Sequence, residues 1–123
     1  MRGIKINPTE RTIEEVDVPN PNKSLQGLYD LIGCDLVQLV ELDRGIIMAC
    51  DEEAKCKPVT GAFTFYGTDL VIAGNAVILG GDVNRFAKLH EDIANLEKII
   101  EWAEPADVPE PKFTFIPLTN ERN

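Results

Sequence analysis

The sequence predicts a single α+β domain, in which a mixed, mainly antiparallel β-sheet of about five to seven strands packs against two helices. Apolar residues recur at helical spacing at about 24–32 and again at 91–103, which indicates two amphipathic helices. Short apolar runs bounded by glycine, proline and asparagine are typical of strands. With 123 residues, the chain can bury one hydrophobic core without disulfides or a structural metal. We expect the domain to cover 1–103 and a proline-rich tail to follow.

Two strands are expected before the first helix. Ile4 and Ile6 lie on one side of the first strand. In the second, at 12–18, the apolar parity slips between Ile13 and Val16, which predicts a β-bulge or a strong twist in an edge strand. The chain therefore opens as strand, turn and strand.

The stretch 24–42 runs from a helix directly into a strand. Ser24 is a good N-cap, because its hydroxyl can accept a hydrogen bond from an amide of the first turn, and Gly33 fits a left-handed C-cap. Residues 36–42 are largely apolar on both faces, which is typical of a strand covered on both sides. We therefore expect this strand to lie in the centre of the sheet.

The next segments are a hairpin and an ambiguous apolar run. A compact turn at 43–45 joins the strand at 46–50 to the one before it. Residues 70–79 form either a hairpin with Gly74 and Asn75 as its loop, or one long strand that bends at Gly74. The bent strand is favoured, because each hairpin arm would hold only about four residues.

The second helix is predicted over 91–103, and the tail begins after it. The apolar face of this helix consists of Ile93, Leu96, Ile99, Ile100 and Ala103. From residue 104 onward, four prolines prevent the helix from continuing. Within the tail, residues 113–116 alternate as a strand would. We expect this segment to add to a sheet edge or to join two copies of the chain as a homodimer.

Charge and cysteine content limit the classes of partner. The net charge is −9, from 21 acidic and 12 basic side chains, which disfavours direct binding of nucleic acid or anionic membranes and permits a basic partner. The three cysteines lack a CxxC pair and are expected to be reduced thiols of a cytosolic protein. The sequence carries neither a leader pattern nor an apolar run of about 18 residues, so a bacterial cytoplasmic location is expected.

Five segments, in order, resemble a family of small phage and mobile-element proteins that is known only as a domain of unknown function. They are IKINP, LYDLIGCDLVQLVEL, CDEEAK, AGNAVILGGD and FAKLHEDI, and they cover most of 4–100. The resemblance implies a phage or mobile-element origin, but it implies no particular molecular activity. Small acidic accessory proteins of phages often bind host machinery, including host defences.

The chain departs from the family pattern at four positions. Asp51 stands where asparagine is usual, His90 replaces a threonine-like helix cap, and Cys34 replaces a second glycine. The region around Thr60 lacks a further asparagine. If the asparagines of other members form a common ligand site, this chain has altered it.

The sequence offers little that indicates catalysis. His90 is the only histidine, and the spacing of Cys34, Cys50 and Cys56 fits no zinc-binding pattern. A cysteine within an apolar strand is generally unreactive, and no glycine pair is followed by the lysine and hydroxyl residues of a phosphate-binding loop. We therefore expect a protein that is not an enzyme and needs no metal or cofactor.

Two functional hypotheses follow. The first is a phage-encoded accessory protein that binds and inhibits a host protein with a basic surface, such as a nucleic-acid-handling defence complex. Its binding residues would be the acidic clusters Glu14, Glu15, Asp51, Glu52 and Glu53. The alternative is a sponge that sequesters a small signalling nucleotide in a pocket. This pocket would lie either within one chain or between two subunits. Its stacking and cationic residues would be Phe63, Tyr66, Arg85 and Lys88.

Overall fold

A computed structural model describes residues 1–108 of the chain. In this part the strands are β1 Arg2–Asn7, β2 Thr12–Asp17, β3 Val37–Asp43, β4 Ile46–Asp51, β5 Ala62–Phe65, β6 Val71–Ala73, β7 Ala76–Asp82, β8 Arg85–Ala87 and β9 Ile100–Ala103. The helices are α1 Gln26–Ile32 and α2 Ile93–Ile99, and short 3₁₀ turns lie at Ala54–Cys56 and Pro105–Asp107. The predicted segment 113–116 lies outside the described residues.

The strands form two antiparallel sheets. The larger has six strands in the order β2-β1-β7-β4-β3, and β8 pairs with the second half of β7. The smaller has three strands in the order β6-β5-β9. The α+β class and a mainly antiparallel sheet of the predicted size are thus confirmed. The second sheet is an addition that the sequence did not predict.

The larger sheet is covered on both faces. On one face, buried side chains of β1, β4 and β7 pack against the smaller sheet and α2. On the other face, alternate residues of β4 and β7 pack against α1. The central strand is β7, in which residues 76–80 are all buried. Each large apolar side chain that is fully buried in this way stabilises the fold by roughly 1.5–3 kcal/mol.

The strand β3 lies at an edge of the sheet, so the prediction that it is central is wrong. Val40 and Leu42 pack against the core beneath the smaller sheet, whereas Val37 and Leu39 pack against the core beneath α1. Because both faces of the sheet are covered, even an edge strand loses the alternation of apolar and polar residues. An apolar run therefore indicates two covered faces, and it does not fix the position in the strand order.

The same two-sided packing explains the parity slip in β2. Ile13 packs against one core and Val16 against the other. The register between β1 and β2 is continuous from Arg2↔Asp17 to Asn7↔Thr12, so the predicted bulge is absent from this pair, although the edge position is confirmed. A register shift does occur in β3, next to its turn.

Both helices are shorter than predicted. The helix α1 begins at Gln26, because its N-cap is Leu25, and the Ser24 hydroxyl accepts only the Gln26 N–H, at 3.2 Å. The left-handed C-cap at Gly33 is confirmed, with a φ of 82°. The helix α2 ends at Ile99, and residues 100–103 form β9, which pairs with β5. Pairing along β5 gives these backbone groups partners and overrides the helical spacing of the side chains.

The segment 70–79 forms neither a hairpin nor one bent strand. The strand β6 pairs with β5, whereas β7 pairs with β1 and β4. The chain therefore passes from the smaller sheet into the larger one at Gly74 and Asn75. The hairpin at 43–45 is confirmed, since β3 and β4 pair in an antiparallel register.

Candidate functional site

An apolar cavity of about 560 Å³ opens between β3, the end of β5 and α2. A recess of about 350 Å³ continues it along β6, and the two share Val40 and Leu70. Together they are called the edge groove here. The apolar lining of the larger part consists of Val40, Leu42, Ile46, Phe65, Tyr66, Leu70, Leu96 and Ile99.

Hydrogen bonds fix the loop that forms one wall of the edge groove. The Tyr66 N–H donates to the carbonyl of Ile99 at 2.7 Å, which ties the end of β5 to the end of α2. The Thr68 hydroxyl donates to the carbonyl of Phe65 at 2.9 Å, and the Thr64 hydroxyl donates to that of Leu70 at 2.6 Å. These bonds hold Tyr66 and Leu70 on the rim.

Exposed apolar side chains concentrate at this site. Among the described residues, five large hydrophobic side chains are exposed, and three of them line the edge groove. They are Tyr66, at 73%, Ile99, at 41%, and Leu70, at 37%. Contiguous exposed apolar surface on a small domain is a mark of a binding site, whereas isolated residues such as Val83 need no explanation.

Carboxylates surround the apolar floor. Glu41, Asp43 and Glu91 line the larger part of the edge groove, and Asp51 and Glu52 line the recess. Of the described lining residues, a single side chain, that of Lys55, is basic. Even though Asp51 is paired with Lys57, the remaining carboxylates outnumber the ammonium group of Lys55, so the potential at this site is negative and favours a cationic partner.

The outer edge of β3 borders the groove. The Glu52 N–H donates to the carbonyl of Leu36 at 3.1 Å, which identifies that pair as hydrogen-bonded across β3 and β4. Hydrogen-bonded and non-bonded pairs alternate in an antiparallel ladder. The N–H and C=O groups of Val37, Leu39 and Glu41 therefore point away from β4, and no strand in the described part of the chain pairs with that side.

The predicted acidic residues lie at two separate places. Glu14 and Glu15 are on β2, the opposite edge strand, and Glu15 accepts a hydrogen bond from Arg2 Nε at 2.9 Å. Two strands, β1 and β7, separate β2 from β4, which ends at Asp51. Glu52 and Glu53 are exposed, and Glu52 lines the groove. Only the second acidic cluster therefore adjoins the candidate site.

Asp51 is held by its neighbours. Its side chain is only 9% exposed, its Oδ2 accepts from Lys57 Nζ at 2.8 Å, and its Oδ1 accepts from the Glu53 N–H at 2.9 Å. The hydrogen bond from Lys57 raises the pKa of that ammonium group. Asp51 thus shapes the loop after β4 and offers a partner less surface than Glu52 and Glu53 do.

Two of the positions expected to depart from the family pattern lie at one polar cavity. Asp51 and Thr60 both line a space of about 190 Å³, together with Asn75 and Lys57. The Thr60 hydroxyl shares a hydrogen bond of 2.8 Å with the hydroxyl of Thr9. The sequence alone could not place these residues together, since Thr9 and Asn75 lie on loops far along the chain from Asp51, Lys57 and Thr60.

The residues predicted for the nucleotide alternative occupy different environments. Phe63 is fully buried and makes an edge-to-face contact with Phe65 at 5.7 Å between ring centroids. Tyr66 is on the rim of the edge groove. Arg85 begins β8, and Lys88 follows it and lines a separate recess with His90. The aromatic and cationic members are therefore distributed between the core, the groove and the β7–β8 side.

The histidine and the buried thiols lie at opposite ends of the larger sheet. Cys50 pairs with Ala76, whereas His90 shares a recess with Gly80, four residues along β7 or about 13 Å of strand. Burial raises the pKa of the Cys50 thiol from 9.0 to about 11, and the Asp51 carboxylate adds to this effect. Burial likewise raises the pKa of Cys34. Such thiols are poor nucleophiles at neutral pH.

Alkaline pH should destabilise the domain through Cys50. The folded state holds the thiol proton more tightly than the unfolded chain, so this contribution is complete below pH 9 and is lost as the pH rises toward 11. Urea unfolding at pH 8 and pH 11 should show that the wild type loses about 2 kcal/mol more than the Cys50→Ala variant. Equal losses in the two proteins would contradict the buried thiol.

Two further observations concern metals and membranes. Residues 1–108 contain no group of three or more histidine, cysteine or acidic side chains arranged to hold a metal ion. Over the same range, no helix is both long enough and apolar enough to cross a membrane.

Comparison with known proteins identifies the family. Protein PsiB of Rhizobium leguminosarum bv. phaseoli is 32% identical over 72 residues, which are 58% of this chain and 53% of that protein. The chain thus spans about half the length of that relative. No solved structure matches the chain. The model of one family matches residues 1–103, which confirms the resemblance to a family known only as a domain of unknown function, and the chain belongs to that family (DUF3846).

Proposed function

We propose that this chain is a non-enzymatic accessory protein, encoded by a phage or another mobile element, that binds and inhibits a host protein. The target would present a basic surface, as nucleic-acid-handling defence complexes do. The observation that carries the proposal is the edge groove, an apolar cleft of about 560 Å³ with carboxylates on its rim.

The composition of the groove fits a protein partner. Protein interfaces combine an apolar centre, rich in aromatic residues, with a polar rim. Here Tyr66, Leu70 and Ile99 supply an exposed apolar centre, and Glu91 and Glu52 belong to the charged rim. Lysines or arginines of the partner would meet the rim, while an apolar side chain would fill the centre.

The overall charge supports the same class of partner. At −9, the chain would repel the phosphates of nucleic acid and anionic lipid headgroups. It would attract a basic surface at long range and so raise the rate of association. A protein that binds the nucleic-acid site of its target needs both properties, since it must compete with a polyanion.

Capture of the partner should depend on the groove. The tagged chain is used to capture proteins from bacterial lysate, and the captured protein is then purified for affinity and activity measurements. Tyr66→Ala combined with Ile99→Ser should weaken binding by about 30-fold or more, because truncating exposed apolar anchors at an interface costs about 2 kcal/mol. Val83→Ser, which changes a 57% exposed side chain outside the groove, should change affinity less than about twofold.

Charge reversal supplies a second, matched comparison. Glu52→Lys with Glu53→Lys and Glu14→Lys with Glu15→Lys both change the net charge from −9 to −5, since each substitution adds two charges. The first pair should weaken binding more and reduce its salt dependence, because Glu52 lines the groove and β2 is at the opposite edge. Equal affinity for the groove variant and the wild type, or an unimpaired activity of the bound target, would contradict the proposal.

A further inference from the structure

We infer that the partner joins the larger sheet as an added antiparallel strand on β3, through an extended segment that alternates apolar and basic residues. This inference rests on the proposed function, because it specifies how a protein partner occupies the edge groove. In this arrangement the backbone of β3 would form main-chain hydrogen bonds with the partner, the apolar floor would contact its apolar side chains, and carboxylates would attract its basic side chains.

The backbone of β3 supplies the pairing. Val37, Leu39 and Glu41 direct three N–H and three C=O groups outward, as the register with β4 requires. An exposed strand edge is a template on which an extended segment can form main-chain hydrogen bonds. Every strand pair described in the sheet is antiparallel, so an antiparallel addition continues the existing ladder.

The two faces of β3 dictate the alternation. Val40 and Leu42 face the edge groove, so residues of the added strand that lie opposite them would point toward Tyr66, Leu70 and Ile99. These positions favour apolar side chains. Residues opposite Leu39 and Glu41 would point to the other face, where the exposed carboxylate of Glu41 favours lysine or arginine.

The alternation of hydrogen-bonded and non-bonded pairs also determines which backbone groups of the partner would bond to β3. In an antiparallel pair, residues directly opposite each other exchange both hydrogen bonds or none. Since the groups of Val37, Leu39 and Glu41 point outward, the basic residues opposite them would donate and accept. The apolar residues opposite Val40 and Leu42 would direct their N–H groups away from β3.

A second copy of this chain is a poorer occupant than a basic segment. Each copy carries a net charge of −9, and the edge of β3 itself includes Glu41 and Asp43. Pairing of two such edges would bring like charges together, which destabilises a strand pair. Charge complementarity therefore points to a cationic partner.

A synthetic probe tests the added strand. The peptide acetyl-Lys-Val-Lys-Val-Lys-Val-Lys-amide is titrated into the ¹⁵N-labelled full chain at low salt, and amide shifts and hydrogen exchange are measured. Binding should shift and protect the amides of Val37, Leu39 and Glu41. N-methylation of the lysines should weaken binding about tenfold or more, whereas N-methylation of the valines should change it less than about threefold.

A proline variant supplies the matched control on the protein side. Glu41→Pro and Glu41→Ala both remove an exposed carboxylate, but only proline removes the outward N–H. Because that N–H is not bonded to β4, a proline is tolerated there, and urea unfolding should show that both variants remain folded. Glu41→Pro should bind the peptide about tenfold more weakly than Glu41→Ala does.

The outcomes separate failure of this inference from failure of the proposed function. Three results would overturn the added strand. The first is no binding of the peptide, and the second is equal affinity of the peptide for Glu41→Pro and Glu41→Ala. The third is that N-methylation of the valines, and not of the lysines, abolishes binding. Protection of the same amides without peptide, rising with protein concentration, would show self-pairing and overturn it too. The groove remains supported in each case if Tyr66→Ala with Ile99→Ser loses the captured host protein.

Discussion

Replacing Phe63 by alanine should lower the free energy of unfolding by about 3–5 kcal/mol. The side chain is fully buried in the core between the two sheets, and its ring packs edge-to-face against Phe65. Truncation would leave a cavity that the surrounding β-sheet residues cannot fill without moving. Urea unfolding monitored by circular dichroism would measure the loss.

Tyr66→Ala is the matched control, because the two aromatic residues are close in sequence and both were predicted for the nucleotide alternative. Tyr66 is 73% exposed, so its truncation should change stability by less than about 0.5 kcal/mol. The nucleotide sponge predicts a different pattern: thermal stabilisation by a cyclic nucleotide that both variants lose. A stable Phe63→Ala protein that has lost such stabilisation would contradict the core assignment.

Gly81→Ala should also destabilise the domain by about 3–5 kcal/mol. Gly81 has a φ of 95°, and a Cβ atom built there would lie 2.1 Å from the carbonyl oxygen of Arg85. The strained backbone and the clash with backbone atoms act together, so the turn between β7 and β8 would have to open. Its N–H also donates to the carbonyl of Gly45 at 3.1 Å, so the β3–β4 turn would be affected too.

Gly33→Ala separates strain from collision. Gly33 has a similar φ of 82°, but nothing lies within 4 Å of a Cβ atom built there. This substitution should therefore cost only about 1–2 kcal/mol, the usual penalty for a left-handed residue with a side chain. Equal costs at the two positions, measured by urea unfolding, would contradict the close approach of Arg85 to Gly81.

Sequence patterns predicted the fold class and most strands, and they failed where tertiary packing decides. Ile13 and Val16 lie on opposite faces of one strand, and the parity rule could not recognise them because both faces are covered. The helical spacing of Ile99, Ile100 and Ala103 is equally compatible with the end of a helix followed by a strand. Pairing with β5 decided between the two, and no local pattern reports that pairing.

The edge groove was harder to predict than the fold. Its walls come from three distant segments, 40–46, 65–70 and 91–99, none of which carries a recognisable motif. The acidic run at 51–53 was identified, but its proximity to the groove depends on the strand order. Tyr66 and Leu70 flank a polar turn, but single apolar residues beside a turn are common at protein surfaces, so the sequence alone did not mark them as part of a site.

The passage of the chain at Gly74 and Asn75 has a mechanical consequence. Because β6 and β7 are joined by only these two residues, the smaller sheet cannot swing away from the larger one without pulling on the innermost strand of the molecule. We therefore expect amides of Phe63 and Ile78 to exchange with solvent in a single concerted opening event. The strand β6 also forms one wall of the edge groove. Because this wall is attached to the central strand, we expect it to move little when a partner binds.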